Sequence, residues 1–499
     1  MKFDYHSLRN GSDIRGYAVK SDEAPVNLTD EVTKKVASAF VLWLAKKCDK
    51  NPCDLKIGIG RDSRISGERL RDAFVASFKD AGVYTYDCGL ATTPSMFMLC
   101  VDEKYTVDGT VMLTASHLPY NRNGFKFFTK DGGLEGSDIK DILEIASYGA
   151  ASQSSKRGRV KKIDYVKEYA KLIKEKITTA TGESKPFKSM KIVVDAGNGA
   201  GGFYASKVLK PLGADVRGSQ FLEPDGTFPN HIPNPEDKEA MASISKATLD
   251  AKADLGIIFD TDVDRAAIVD ASGKEINKEK LIALISAVLL KDKKGTIVTD
   301  SVTSGELEAF IASHGGRQHR FKRGYKNVIN EAIRLNNEGE YTPLAIETSG
   351  HAALMENYFL DDGAYLVTRL LIEAVKQRKE GKTLSDLISD LGVLPVKKSC
   401  RFKIEGENFK EYGLDILSAF EKFAQENSFL THIKGGYEGI RCSFGGKGWL
   451  LMRLSLHDPI IPFDCEAENA EDMASALKEV ETFLKAYDRL EGLNALLDI

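Results

Sequence analysis

Three times along the chain, a strand-length apolar stretch runs into a short loop of glycine, serine or aspartate, and a second such strand ends in a polar loop. In the middle repeat, residues 191–195 enter Ala196-Gly197-Asn198-Gly199-Ala200-Gly201, and residues 254–259 enter Asp260-Thr261-Asp262-Val263-Asp264-Arg265. In the last, residues 295–300 lead to Ser301-Val302-Thr303-Ser304-Gly305, and residues 343–346 lead to Glu347-Thr348-Ser349-Gly350-His351. In the first, residues 110–113 precede Thr114-Ala115-Ser116-His117-Leu118-Pro119. Buried strands alternating with helical stretches specify α/β units, and their loops fall at the carboxyl edge of a sheet, where such folds bind ligands. A chain of 499 residues is too long for one core. The expected fold is therefore three related α/β domains with parallel or mixed sheets, followed by a smaller C-terminal α+β domain.

Local signals agree with this division. Thr29 caps a helix with Asp30 and Glu31 at its positive end, Lys46 and Lys47 at its negative end, and a stripe of Val32, Val36, Phe40, Trp43 and Leu44. Residues 56–60 read as a strand entering Arg61-Asp62-Ser63-Arg64-Ile65-Ser66-Gly67 and a helix from Glu68, and residues 84–87 as a strand before a Thr92-Thr93-Pro94 turn. The Ser-, Ala-, Gly- and Lys/Arg-rich stretch 149–162 precedes a helix capped by Asp164, with Val166, Ala170, Ile173 and Ile177 on its buried face. Beyond about residue 390 the pattern changes: residues 449–456 read as a strand with Arg453 and Ser455 on one face, and a last helix from Asn469 carries Met473, Leu477, Val480 and Leu484. The expected domains are 1–155, 156–275, 276–390 and 391–499.

Charge and cysteine usage exclude several classes. Lysine and arginine number 69 against 73 acidic residues with no long basic block, which argues against a nucleic-acid or anionic-membrane partner. Seven scattered cysteines without a CxxC pair imply neither a disulfide framework nor a zinc site, and fit a reducing cytoplasm. The start lacks a signal peptide's apolar region, and the longest apolar run, residues 281–290, is too short for a membrane span. A soluble cytoplasmic protein is expected.

Asp260, Asp262 and Asp264 place three carboxylates at alternate positions, where they repel one another unless a cation lies between them. The loop reads as a cation site or as an acidic solvated turn; oxygen-only ligands favour magnesium or calcium, and an EF-hand is excluded because Arg265 and Ala271 stand where its glycine and glutamate belong. An ion so held usually meets phosphate. Arg265 then has two readings, a contact to a phosphoryl oxygen or an ion pair with an aspartate. The other loops are less specific. Ser116 fits a capped turn or a site at a sheet edge, with Lys126 near enough in sequence to return to it. Glu347, Ser349 and His351 suit a sugar's hydroxyls and a proton carrier. Gly324-Tyr325-Lys326 lies in a basic stretch that reads as an exposed loop, and Arg453 with Ser455 fits an anion clamp or an exposed strand face.

Taken together, these motifs resemble the α-D-phosphohexomutase family, which includes phosphoglucomutase, phosphomannomutase and phosphoglucosamine mutase. The match runs from Arg15-Gly16 and the Gly-Arg-Asp-x-Arg loop at 60–64 to the serine loop at 114–119 and Asn123-Gly124-Phe125-Lys126. It continues through Asp-x-Asp-x-Asp-Arg at 260–265 and Glu-x-Ser-Gly-His at 347–351 to a phosphate loop matched in part by Arg453-Leu454-Ser455-Leu456-His457-Asp458-Pro459. The resemblance implies four domains around a central cleft. It implies interconversion of hexose 1-phosphate and hexose 6-phosphate through a phosphorylated Ser116 and a hexose 1,6-bisphosphate, which also serves as activator. Magnesium would sit on Asp260, Asp262, Asp264 and Ser116. Arg15, Lys126, His351 and Arg265 would handle protons or stabilise the phosphoryl group, while Glu347, Ser349, Lys326, Arg453, Ser455 and His457 would bind the sugar phosphate. The implied partner is a small sugar phosphate, and the implied state a monomer or small homo-oligomer. Leu118 stands where the family's serine loop usually has asparagine, and Leu456 and His457 where its phosphate loop usually has asparagine and threonine. These departures bring in a second reading, net synthesis of glucose 1,6-bisphosphate from another phosphorylated sugar. Two unrelated readings are a phosphatase with Asp260 as nucleophile and a sugar-phosphate sensor without catalysis.

Overall fold

A computed structural model describes residues 3–149, 151–455 and 458–496. They fall into two compact units, residues 1–281 with 349–386 and residues 282–348 with 387–499.

The first unit contains two sheets. Seven strands of its eight-stranded mixed sheet lie in the order Arg9–Asn10, Asp13–Tyr17, Arg122–Thr129, Gly109–Leu113, Lys56–Arg61, Tyr84–Leu90, Val160–Lys162, with Gly132–Gly133 paired to Arg122–Thr129. Gly109–Leu113 runs parallel to Lys56–Arg61 but antiparallel to Arg122–Thr129. All five of its residues are buried, as an apolar run covered on both faces requires. Alternation along Lys56–Arg61 sends Ile57 and Ile59 into a core with the helices Asp30–Cys48, Gly67–Asp80 and Gly136–Ser147. Gly58 faces the other way, where an added Cβ would lie 2.6 Å from Leu99 on the helix Thr93–Val101. The Thr92-Thr93-Pro94 stretch is thus the start of that helix: Thr92 accepts from Ser95 N, and proline sits where no N–H is needed.

The second sheet has the order Glu275–Ile276, Ala266–Asp270, Leu255–Phe259, Ile192–Asp195, with only the last pair parallel. The helix Lys238–Ala251 packs Met241 and Ile244 against Val193, Ile258 and Val269. The helix Tyr165–Thr181 is capped by Asp164 and buries its stripe as expected. A short hairpin pairs Ala352–Leu354 with Leu360–Asp361 and leads into the helix Gly363–Lys379.

In the second unit, Thr296–Thr299 lies between the parallel strands Arg317–Arg320 and Leu344–Ile346. Its C-terminal part is a six-stranded antiparallel sheet in the order Thr431–His432, Ile440–Phe444, Gly448–Met452, Ile460–Ala467, Val396–Ile404, Leu490–Glu491. The helices Phe409–Glu426 and Ala470–Leu484 cover one face, burying Leu450 and Met452 with Met473, Leu477, Val480 and Leu484. The strand expected over 449–456 ends at Met452. Arg453 N donates to Pro462 O at 3.1 Å, but Pro462 has no N–H to return, so the ladder loosens where Arg453 and Ser455 begin.

All seven cysteines are free thiols. Among the described residues no helix is long and apolar enough to cross a membrane.

Candidate functional site

The first unit gathers the serine loop and the aspartate loop at one place. Thr114 Oγ1 accepts from Ser116 N at 2.9 Å, and Ser116 takes the left-handed conformation at φ +51°. Arg15, on Asp13–Tyr17, is held by Asp13 at 2.6 Å and donates to Thr114 O at 2.9 Å. Gly124 lies opposite Arg15, and a Cβ there would stand 2.7 Å from Arg15 Cδ and 2.9 Å from Thr114 O. Beneath the loop, Arg64 is fully buried and pairs with Asp62, Nε to Oδ2 at 3.3 Å. Burial raises the Asp62 carboxyl to about 6 and lowers the Arg64 guanidinium to about 10.

The aspartate loop is the turn between Leu255–Phe259 and Ala266–Asp270. Ser116 Oγ donates to Asp260 Oδ2 at 2.9 Å, joining residues 144 apart in sequence. Lys126 returns here: its Nζ contacts Asp262 at 3.1 Å and also pairs with Asp264. Thr93 donates its hydroxyl to Asp262. Asp260, Asp262 and Asp264 are all buried, with one oxygen from each lying within 4.8 Å of the others. Asp262 Oδ1 and Asp264 Oδ1 have no hydrogen-bond partner among the described residues. Buried carboxylate oxygens left unpaired are costly, and a hard divalent cation satisfies them, so the donor set fits magnesium. Burial, then Asp264 and Asp262, raises the Asp260 carboxyl well above its ordinary value. At Asp264 burial acts the same way but is outweighed by Lys126, His351 and Arg265, which lower it.

Arg265 joins the two loops. Its Nη2 lies 3.1 Å from Ser116 Oγ, 2.7 Å from His117 Nδ1 and 3.2 Å from Asp260 Oδ2, while Nη1 donates to Asn234 Oδ1 at 3.0 Å. Of the two sequence readings of Arg265, the ion pair with an aspartate is present, and the same Nη2 also reaches the Ser116 hydroxyl. His351 donates from Nδ1 to Asp361 and bridges Arg265 through the backbone. Burial would lower its pKa, but Asp361 and Asp264 raise it to about 9. Ser349 is buried in the loop that precedes it.

Four of the expected residues lie in the second unit. Glu347 accepts from Gly324 N at 2.5 Å, at the start of the helix Tyr325–Asn337 that carries Lys326. Arg323 N donates to Glu438 at 3.1 Å, and Glu438 in turn lies 3.8 Å from Arg453 Nη1. Glu347, the basic stretch and Arg453 thus share one polar chain, with Ser455 two residues beyond. Arg453 Nε is buried without a hydrogen-bond partner among the described residues, and burial lowers the guanidinium pKa. His457 lies outside the described residues.

Sequence reasoning left out His117, Thr93, Asp361, Asn234 and Glu438. His117 stood beside Ser116, and its place was the available signal. Thr93 lies in a turn whose residues carry no chemical signal, Asn234, Asp361 and Glu438 lie outside the motifs, and only the folded chain brings them in.

Three domain families match the chain: phosphoglucomutase/phosphomannomutase alpha/beta/alpha domain I over residues 6–151, domain II over 167–273 and domain III over 277–392. A phosphoglucomutase of Neisseria meningitidis is 30% identical over 476 residues, covering 95% of each chain. A phosphomannomutase/phosphoglucomutase of Pseudomonas syringae is 30% identical and covers 84% of each. The structure of a phosphoglucomutase/phosphomannomutase family protein from Burkholderia thailandensis is 25% identical, with a TM-score of 0.79 over 97% of this chain and 98% of that one. A Paramecium parafusin structure, 17% identical with a TM-score of 0.73 over 97% and 96%, shares the fold. With three α/β domains, a fourth sheet at the C-terminal end and relatives matched over nearly their whole length, this chain belongs to the α-D-phosphohexomutase family.

Proposed function

We propose that this protein interconverts hexose 1-phosphate and hexose 6-phosphate, with Ser116 carrying the phosphoryl group and a hexose 1,6-bisphosphate as intermediate and activator. The relatives in the comparison are named as mutases, which favours this reading over net bisphosphate synthesis. The observation that carries it is Ser116 Oγ between Asp260 at 2.9 Å and Arg265 at 3.1 Å, beside a buried carboxylate trio.

Asp260, Asp262, Asp264 and Ser116 would hold magnesium, which when bound neutralises charge developing on the transferred phosphoryl group. Arg265 Nη2, 3.1 Å from Ser116 Oγ, would contact an oxygen of that group, and its bond to Asn234 fixes the guanidinium plane. Lys126 and His351 present cationic groups near the same carboxylates and serve in proton handling, and Arg15 braces the loop from Thr114. Glu347, Ser349 and Lys326 would bind the sugar, and Arg453, Ser455 and His457 the phosphate that is not reacting. The division at 155, 275 and 390 is part of this proposal, as is a cytoplasmic enzyme acting as a monomer or small homo-oligomer.

The test is incubation with glucose 1-phosphate, mannose 1-phosphate or glucosamine 1-phosphate plus magnesium and the matching bisphosphate, followed by phosphorus NMR and peptide mass spectrometry. Isomerised monophosphate with acid-stable phosphate on Ser116 is expected. An unmodified Ser116 with phosphate on Asp260 overturns the proposal, and free bisphosphate accumulating with little isomerised product favours the synthase.

A further inference from the structure

Arg64 reaches no reacting atom, yet it makes more contacts to the serine loop than any group in the proposed chemistry. Its Nη2 donates to the carbonyls of Ser116 and Leu118, both at 2.5 Å, and its Nη1 to those of Pro119 at 2.6 Å and Arg122 at 3.0 Å. Four carbonyls within a seven-residue segment thus converge on one cation. The guanidinium is closed in on every side. Asp62 pairs with its Nε, Phe228 covers its face with the ring centroid 5.2 Å away, and the side chain is wholly buried. Only a planar fork of several N–H groups with fixed directions can serve four acceptors at once, and a lysine ammonium has three protons at one point. A fully buried cation is expensive, and its use here buries no substrate-facing charge. What it secures is the shape of a loop whose key residue, Ser116, sits at φ +51°, a region that side-chain-bearing residues rarely adopt.

We propose that Arg64 is a positioning residue for phosphoryl transfer: its four carbonyl bonds hold the 116–122 loop in the one conformation that aims Ser116 Oγ at Asp260 and Arg265. The inference rests on Ser116 being the phosphoryl carrier. Phe228 over the guanidinium and the full burial of the Arg64 side chain shield these bonds from water, so the loop is set before substrate arrives.

The test compares wild type with Arg64→Lys, Arg64→Ala and the charge-free pair Asp62→Asn/Arg64→Gln. Glucose 1-phosphate is the substrate, with magnesium chloride and glucose 1,6-bisphosphate present, and cooperative unfolding of each protein is followed by circular dichroism. The expected result is a kcat lower by about 100-fold with KM changed by less than about threefold. Methylguanidinium should restore part of the kcat of Arg64→Ala, and methylammonium should not. A folded variant with wild-type kcat, a loss confined to KM, or equal rescue by both amines overturns the proposal. Failure of all three variants to fold also overturns it, leaving Arg64 a stability residue only. Wild type without turnover and without phosphate on Ser116 removes the carrier reading and this one with it, whereas an active wild type with active Arg64 variants removes this one alone.

Discussion

Arg265 Nη2 meets His117 Nδ1 at 2.7 Å, and because a guanidinium only donates, the imidazole nitrogen must accept. Burial, with Arg265 and Arg15 nearby, pushes the His117 pKa down to about 3. The ring beside Ser116 is therefore neutral across the physiological range, with its proton on Nε2, and acts as a fixed acceptor that turns Arg265 toward the serine hydroxyl. Two histidines of the site are thus driven apart by their surroundings, since His351 is raised to about 9.

Replacing the hydroxyl should abolish the chemistry and spare the fold. Ser116→Ala is expected to lower turnover of hexose 1-phosphate by about 1,000-fold or more, with an unchanged melting temperature. Arg265→Lys keeps the charge but cannot span Ser116, His117, Asp260 and Asn234 together, and should lower kcat by about 100-fold. Steady-state kinetics beside calorimetry checks both.

Magnesium should stabilise the folded protein by mass action, by about 2.7 kcal/mol when its free concentration is about 100 times the dissociation constant. Asp262→Asn removes one charged donor from the trio and should cut the melting-temperature rise with magnesium chloride to a small fraction. An undiminished rise in that variant would place the ion elsewhere.

The buried pair of His231 and Asp195, Nε2 to Oδ2 at 3.0 Å, gives stability a pH dependence outside the aspartate cluster. Burial would lower the histidine's pKa, but the hydrogen bond and charge of Asp195 outweigh it and hold the folded value above the ordinary one. A raised folded value means that the contribution is complete below about pH 6.5 and fades as pH rises through the folded value. The melting-temperature gap between wild type and His231→Gln should therefore be widest near pH 6 and shrink by about pH 9. A gap that widens with rising pH would contradict this.

Gly124→Ala tests the close approach of two strands. The new methyl would meet Arg15 and the Thr114 carbonyl, and backbone there cannot yield cheaply. A loss of about 2 kcal/mol in chemical denaturation is expected, with a larger fall in kcat than Ala substitution at an exposed strand residue gives.

The chain's organisation was legible because its signals were local. The strand-and-loop repeats, the Asp164 cap, the last helix beginning at Asn469 and the Asp260–Asp264 spacing all rest on neighbouring residues, and each appears in the fold as expected. What escaped depended on distant packing. Thr92-Thr93-Pro94 reads as a turn until Gly58 is seen to leave room for the helix it starts. Residues 449–456 read as an unbroken strand until Pro462 is found opposite Arg453. Arg64 carries the motif's arginine, but nothing in its neighbours announces four carbonyls contributed more than fifty residues later.

Ser116 and Asp260 meet across 144 residues and two different sheets, and His351 joins them from still farther along the chain. Contacts of such sequence separation carry a large loop-closure cost and form late. A nascent chain can therefore complete its first sheet, with the serine loop already shaped, well before the carboxylates that face it have been synthesised. Until residue 265 has emerged, Ser116 lacks both Asp260 and Arg265, so a growing chain holds a shaped serine loop with nothing facing its hydroxyl.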